Sequence, residues 1–242
     1  MTFITRPRKV EVIVLGRGLA AAATADQLVQ QGRRVAWLVE QPGQETGWRP
    51  AWPGWHVTNQ ARLQLATKGA EQLAKWQADG LPGISSHELD HPHPLWLLNY
   101  EQLLPALAER IAAGTRCWVA NNTYIRGISV IEHAILGAIA EDARYDGRQV
   151  INAAEGKRYA SFARMMRRPH RLQLASFRPT AATGISATAD GNASYPNALR
   201  FQRDSHPATV EETTVKGATR VYGVAGWPLL TLGLIAEHFI SS

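Results

Sequence analysis

The chain has 242 residues, of which 45% are hydrophobic and 19% charged, a composition typical of a globular protein of one or two domains. Its single cysteine, Cys117, excludes a disulfide framework, a redox-active dithiol and a zinc site built on paired cysteines. Because no apolar stretch reaches about 18 residues, we predict no membrane span. The N-terminal residues lack the apolar core of a secretory leader, which predicts a cytoplasmic protein.

Basic residues give the chain a formal net charge of +6. A block without any acidic residue lies between Lys157 and Ala189 and contains Lys157, Arg158, Arg164, Arg167, Arg168, Arg171 and Arg178. Its charge suits an anionic substrate, a cofactor phosphate, an acidic partner or nucleic acid. An ordinary solvated face is the alternative interpretation.

The first forty residues carry the most specific pattern. Residues 9–15 (KVEVIVL) predict a buried parallel strand. Residues 16–21 (GRGLAA) predict a glycine turn that opens an alanine-rich helix ending at Gln31. Residues 33–39 (RRVAWLV) predict a second strand, which Glu40 follows. This order of strand, turn, helix, strand and acid is typical of a dinucleotide-binding unit.

Each residue type in this pattern has a physical reason. Gly16 permits the tight turn, and Gly18 lets the backbone approach a pyrophosphate that faces the N–H groups of the helix. Ala21 stands at the third glycine position, where only close helix–strand packing is required. A carboxylate at Glu40 can accept hydrogen bonds from ribose hydroxyls and would repel a 2′-phosphate, which disfavours NADP. A glycine turn in an unrelated α/β unit is the alternative.

The rest of the chain does not continue as the regular strand–helix alternation of a simple NAD-dependent dehydrogenase. The predicted elements are a helix within Thr58–Asp79, a loop over Leu81–Pro94, a helix from Asn99, strands over Arg116–Ala120, Tyr124–Val130 and Ala134–Ala140, a turn at Asp146–Gly147, a strand over Arg220–Gly226 and a helix from Trp227.

Three separated blocks carry a family resemblance: GRGLAA at 16–21 with Glu40, RQVINAAEG at 148–156, and RVYGVAGWPLLTLGLIAEHFI at 220–240. In this order they resemble flavoproteins with the glutathione-reductase-type FAD fold, above all the D-amino-acid oxidase branch that includes glycine and sarcosine oxidases. The resemblance implies an α/β, Rossmann-like FAD/NAD(P)-binding three-layer fold with a small cap or substrate subdomain. It also implies that the last helix directs its N-terminus at the flavin pyrimidine, where it stabilises negative charge.

The same resemblance implies domain boundaries and site residues. The FAD-binding domain is expected to be discontinuous, over residues 1–45, 100–165 and 219–242, with a small cap or substrate region over 46–99 and 166–218. The residues expected to bind FAD are Gly16, Gly18, Leu19, Ala20, Glu40, Gln41, Ala154, Gly226, Leu230 and Thr231. No catalytic residue is assigned, because such flavoproteins chiefly orient the substrate toward the flavin.

The sequence departs from the family pattern in several places. Glu155 interrupts the Ala-Ala-Gly turn, and Trp227 stands where this branch often has a histidine. Residues 45–50 (ETGWRP) replace the expected serine- and glycine-rich loop. The chain is also shorter than these flavoproteins usually are, so either its cap is small or a partner protein or second copy completes the site.

Three further groups of residues are candidates for a functional role: tryptophans, histidines and the single cysteine. Trp48, Trp52 and Trp55 either line a flavin or planar substrate or anchor a Pro/Gly-rich loop. A histidine cluster contains His87, His91 and His93 with Glu88 and Asp90, but its loop has no metal-ligand spacing, and we predict no metal site. Cys117 lies in an apolar run and is expected to be a buried, inert thiol.

Two functions from different classes follow. The first is an FAD-dependent oxidoreductase acting on an amine, amino acid or similar small molecule. The alternative is a non-catalytic or accessory dinucleotide-binding protein that docks an acidic partner through residues 157–178. Nucleic acid is not the expected partner. The absence of a Gly-x-Ser-x-Gly elbow and of a P-loop speaks against hydrolases and nucleoside triphosphatases.

Overall fold

The structure is a computed structural model. The residues that it describes are 6–39, 48–51, 60–88, 94–131, 134–153, 170–171, 174–179, 186–187, 193–194, 201–212, 218–222 and 228–240. The chain divides into two compact units. The first comprises Met1–Gly43, Leu107–Leu172 and Val210–Tyr222, and the second comprises Gln44–Ala106, Gln173–Thr209 and Gly223–Ser242.

The described helices and strands, in chain order, are β1 (Arg8–Lys9), β2 (Val12–Leu15), α1 (Leu19–Gln30), β3 (Val35–Val39), β4 (Trp48–Ala51), α2 (Gln60–Ala78), β5 (Ile84–His87), β6 (Leu95–Asn99), α3 (Tyr100–Ala112), β7 (Trp118–Asn121), β8 (Ile125–Ile131), β9 (Ala134–Ala140), β10 (Arg144–Asp146), β11 (Gln149–Asn152), β12 (His170–Arg171), β13 (Leu174–Pro179), β14 (Ser186–Ala187), β15 (Ala193–Ser194), β16 (Phe201–Glu212), β17 (Ala218–Tyr222) and α4 (Pro228–Ile240).

Five parallel strands form the centre of the first unit, in the order β17–β11–β2–β3–β7. Every residue of β2 and β3 is buried, as expected for apolar strands in a parallel sheet covered on both faces. With α1 between β2 and β3, the strand–turn–helix–strand order predicted from residues 9–39 is confirmed.

The two faces of this parallel sheet have different covers. On one side α1 contacts β2 and β3, and Ala21, Ala22 and Ala25 of the helix are completely buried. A four-stranded sheet, in the order β1–β10–β9–β8, covers the other side, where Ile135 and Tyr145 share a hydrophobic cluster with β2, β3 and β11. Helix, parallel sheet and mixed sheet make three layers, so the predicted α/β fold is confirmed.

The second unit contains an antiparallel sheet, in the order β4–β6–β5, and the helix pair α2–α4. Two glycines make that pair close. A Cβ atom at Gly69 would overlap the backbone of Leu229, and one at Gly233 would overlap the backbone of Leu65. The later residue of α2, Gly69, lies against the earlier residue of α4, Leu229, and the reverse holds for Leu65 and Gly233. The two helices therefore run antiparallel with their backbones in contact.

Some predicted elements differ from the observed ones. The expected loop over Leu81–Pro94 contains β5, because Ile84 pairs with Leu98 of the apolar strand β6. The Asp146–Gly147 turn does not close a hairpin, because β10 and β11 on either side of it belong to different sheets.

The expected domain boundaries stay a prediction, and the two compact units divide the last part of the chain between β17 and α4. Strand β17 belongs to the first unit, whereas α4 belongs to the second unit. The Gly69 and Gly233 contacts give the reason, because they attach α4 to α2. A further boundary between the units falls inside α3, between Ala106 and Leu107.

Candidate cofactor-binding site

Gly16 is held in place from both of its backbone polar groups. Its N–H donates to the carbonyl of Leu38 at 3.2 Å, and its carbonyl accepts from Nε1 of Trp37 at 2.9 Å. Its φ of 133° lies in the region that favours glycine. The end of β2 is thereby fixed against the neighbouring strand β3 just before the chain turns into α1.

Gly18 shapes the start of α1. With φ 92° and ψ −175° it occupies a backbone region that is essentially restricted to glycine. A Cβ atom at this position would meet no described atom within 4 Å, so the space beside the backbone is open. No described side chain caps the helix, and its first turn holds no acidic residue.

The N-terminus of α1 therefore fits an anion. The first N–H groups of a helix have no partner within the helix, and the helix dipole favours negative charge there. Arg17 is exposed between the two glycines and adds a positive charge. A pyrophosphate is the group that suits an open glycine turn at a helix N-terminus, so these residues fit the phosphates of a dinucleotide.

A buried ion pair stabilises the far part of α1. Asp26 is only 1% exposed, and its carboxylate lies 3.0 Å from Nε of Arg110 on α3 and accepts a hydrogen bond from the amide of Gln30. A buried charge needs such partners. The pair is formed within the first unit and joins α1 to the part of α3 that belongs to this unit.

Other strands end at the same edge of the parallel sheet. Ala153, directly after β11, donates its N–H to the carbonyl of Leu15 at 2.8 Å, and Asn152 is buried in register with Leu15. Ligands of open α/β sheets bind at the carboxyl ends of the strands. The β2 and β11 ends are therefore brought together where such a ligand is expected.

Four of the predicted site residues, Gly16, Gly18, Leu19 and Ala20, lie together at the β2–α1 turn of the first unit. Leu230 and Thr231 lie in the first turn of α4 in the second unit, and both are buried. The Thr231 hydroxyl has no hydrogen-bond partner in the described part of the chain. Four further predicted residues lie outside the described ranges: Glu40, Gln41, Ala154 and Gly226.

Sequence reasoning missed Trp37 and the Asp26–Arg110 pair. The tryptophan resembles any apolar strand residue in the sequence, and only the register of β3 against β2 brings its indole to Gly16. The acid at position 26 gave a signal, because a charged residue inside an alanine-rich buried helix requires a partner. Its partner is 84 positions away (110 minus 26), and no spacing rule identifies it.

The other candidates are only partly described. Trp48 begins β4, while Trp52 and Trp55 lie outside the described ranges. His87 lies in β5 with its Nε2 3.1 Å from the hydroxyl of Ser85, and His91 and His93 are not described. Among the described residues, no group of three His, Cys, Asp or Glu could hold a metal ion. Cys117 is buried, as predicted.

Searches against family models and against curated proteins found no match to the chain. The fold comparison does find similar structures, which include amino-acid oxidases, a proline dehydrogenase and a probable FAD-dependent monooxygenase.

Three of these similar structures are described here as examples. Glycine oxidase from Bacillus cereus ATCC 14579 matches with a TM-score of 0.62 and 12% identity over 95% of this chain and 96% of that one. L-proline dehydrogenase from P. horikoshii matches with a TM-score of 0.64 and 12% identity over 96% and 92%. The probable FAD-dependent monooxygenase pqsL from Pseudomonas aeruginosa matches with a TM-score of 0.55 and 15% identity over 96% and 84%. The predicted likeness to the amino-acid oxidase branch is thus confirmed for the fold.

Proposed function

We propose that the chain is an FAD-dependent oxidoreductase that acts on a small amine or amino acid. The observation that carries the proposal is the β2–α1 turn, where the Gly18 backbone leaves an open space at an uncapped helix N-terminus. The shared fold with glycine oxidase and L-proline dehydrogenase supports the substrate class.

The chain's own residues have distinct roles in this proposal. The N–H groups of Leu19 and Ala20 bind the pyrophosphate, with Gly16 and Gly18 giving it room. Glu40 is proposed to accept hydrogen bonds from the ribose hydroxyls. The chemistry that FAD supplies when bound is acceptance of a hydride from the carbon next to the substrate nitrogen, while a proton leaves to solvent and an imine forms.

The roles of Gln41, Ala154, Gly226, Leu230 and Thr231 in binding FAD remain proposals of the same kind. A cytoplasmic location is also a proposal, and so is the completion of the site by a partner protein or a second copy of the chain. No helix in the described part of the chain is both long and apolar enough to cross a membrane.

The alternative of docking an acidic partner through residues 157–178 has less support. Within the described part of that block, His170 and Arg171 stand in register opposite Glu212 and Glu211 of β16. Acidic residues of the same chain thus stand in register with part of the basic block.

Anaerobic mixing of the FAD-loaded protein with glycine, L-proline and simple primary and secondary amines tests the proposal. Loss of the oxidised flavin absorption with at least one of them is expected. The control is 2-methylalanine, which has no hydrogen on the carbon next to its nitrogen and should leave the spectrum unchanged. If dithionite reduces the flavin but no amine or amino acid does, the substrate assignment is wrong.

A further inference from the structure

Charged residues form a row at the amino-terminal edge of the parallel sheet. Directly before β11, β2 and β3, which pair in register, the chain has Arg148, Glu11 and Arg34. Arg116 precedes the next strand, β7, by two residues. Neighbouring strands lie about 4.8 Å apart, so the arginine row, defined as Arg148, Glu11, Arg34 and Arg116, is about 14 Å long.

The glutamate of the row is shared by two arginines. Its carboxylate accepts from Nε of Arg34 at 3.1 Å and from Nε of Arg33 at 3.2 Å, and each of these side chains is between 36% and 39% exposed. Arg33 also donates to the side-chain oxygen of Gln149 at 3.1 Å. These contacts hold the middle of the row in place, but one carboxylate cannot neutralise two guanidinium groups.

The two ends of the row are exposed and lack such contacts. Neither Arg148 nor Arg116 forms a hydrogen bond or an ion pair with any other described residue. Arg116 also has φ 58°, in the left-handed region that costs most residues free energy and that asparagine tolerates better. Packing and local conformation therefore give no reason for an arginine at either end, whereas a bound anion would supply one.

The length and charge of the row restrict that anion. Small ligands bind in concave pockets, whereas an extended chain of about four residues matches the length of this sheet edge. Glu11 interrupts the positive charges, and a peptide can place an uncharged residue opposite it, but a nucleic acid carries a phosphate at every nucleotide. We propose that the arginine row docks a carboxylate-rich segment of a partner protein, because guanidinium groups bind carboxylates through paired hydrogen bonds.

This surface is separate from the proposed FAD site. Glu11 precedes β2, whereas Gly16 follows it, so the row and the glycine turn lie at opposite ends of the same strand. The inference goes beyond the proposed function and does not depend on the substrate assigned there. Its test uses neither amine turnover nor flavin content, so the failure of one is distinguishable from the failure of the other.

Fluorescence anisotropy of a labelled peptide of alternating glutamate and glycine tests the docking. The full-length chain should bind this peptide saturably at about 0.15 M salt and much more weakly at about 1 M, where charges are screened. The same peptide with glutamine in place of glutamate should not bind. A thymidine oligonucleotide with the same number of negative charges should bind more weakly than the acidic peptide.

Substitutions at the two ends of the row locate the site. Arg148→Gln and Arg116→Asn should each raise the peptide Kd roughly three- to fivefold, and together about tenfold or more. The melting temperature should stay unchanged in Arg148→Gln and be unchanged or higher in Arg116→Asn, because asparagine suits the positive φ.

Arg126→Gln is the matched control. Arg126 is exposed in β8 and has no partner among the described residues, so the variant loses the same charge and should keep the wild-type Kd. An equal rise of the Kd in this variant would overturn the proposal, because the attraction would then follow net charge rather than the row.

Three further results would also overturn the proposal. The first is the absence of saturable binding of the acidic peptide, and the second is equal binding of the glutamine peptide. The third is tighter binding of the oligonucleotide with the same losses in Arg148→Gln and Arg116→Asn, which would assign the row to nucleic acid.

Discussion

At the residue scale, the proposed binding of FAD depends on the backbone conformation at Gly18. Its φ and ψ are accessible only to glycine, and any Cβ would occupy the space assigned to the pyrophosphate. Gly18→Ala is therefore expected to lower the free energy of unfolding of the FAD-free protein by about 1–3 kcal/mol. It should also abolish FAD retention, measured as flavin released from the purified protein.

Gly127→Ala is the matched control for this change. Gly127 lies in β8, and a Cβ there also meets no described atom within 4 Å, but its φ is not in the glycine region. FAD retention in Gly127→Ala should equal that of the wild-type protein. Full flavin occupancy in Gly18→Ala would show that the turn is not the phosphate site.

Trp37 acts on the same turn through a hydrogen bond. Trp37→Phe leaves the carbonyl of Gly16 without the indole donor, which should cost about 1–3 kcal/mol of unfolding free energy. Because Gly16 is then held only through its N–H, the Kd for FAD measured by calorimetry should rise severalfold. Trp118→Phe, at a partly buried position of β7, should leave the Kd for FAD unchanged. Equal FAD affinity in Trp37→Phe would remove Trp37 from the site.

At the scale of elements, the α2–α4 pair depends on two glycines. In Gly233→Ala the new methyl group would meet the backbone of Leu65, and backbone cannot rotate away as a side chain can. Forcing such a contact costs about 1–3 kcal/mol or more, so the urea midpoint should fall clearly. The surface ion pair on the same helices, Lys68–Glu237 at 3.1 Å with both side chains nearly half exposed, contributes little. Glu237→Ala should therefore cost less than about 1 kcal/mol; an equal loss in both variants would contradict this packing.

In the first unit, the hydrogen bonds of Tyr145 with Asp142 and Arg8 make the stability of the fold depend on pH. Burial raises the pKa of Tyr145 above its ordinary value of 10.0, and the hydrogen bond and negative charge of Asp142 raise it further, against the opposing effect of Arg8. The Tyr145 hydroxyl donates to Asp142 and accepts from Arg8, both at 2.8 Å.

A raised tyrosine pKa stabilises the folded state while the hydroxyl keeps its proton. This contribution is complete below pH 10 and is lost as pH rises toward the folded-state pKa. Chemical denaturation from pH 8 to about 12 should therefore show a steeper alkaline loss of stability in the wild-type protein than in Tyr145→Phe. Tyr124→Phe, at an exposed position, should keep the wild-type slope. Parallel slopes for wild type and Tyr145→Phe would contradict the assignment.

For the whole molecule, the sequence was sufficient to predict those helices and strands that form because of their own neighbouring residues. The apolar run before Gly16 and the alanine-rich segment after Gly18 were sufficient for β2, α1 and β3, because burial on both faces and helix propensity act within a few residues. The helix predicted from Trp227 starts at Pro228, and proline suits a first helical turn.

Features set by contacts between distant residues were not predictable. No sequence signal indicates that Gly69 lies against Leu229 or that Gly233 lies against Leu65, so the packing of α4 on α2 could not be predicted. The segment of β5 was predicted to be a loop because Pro82, Gly83 and a run of histidines are typical of loops. The strand forms because its residues pair with β6, which the local sequence does not show. The role of Trp37 likewise required the register between two strands.

The flavin content of the purified protein tests the central claim most directly. The chain, incubated with excess FAD and freed of unbound cofactor, should be yellow, and denaturation should release one FAD per chain. Gly18→Ala treated identically should release almost none. A folded wild-type protein that stays colourless after this incubation, or that binds NAD while rejecting FAD, would contradict the account.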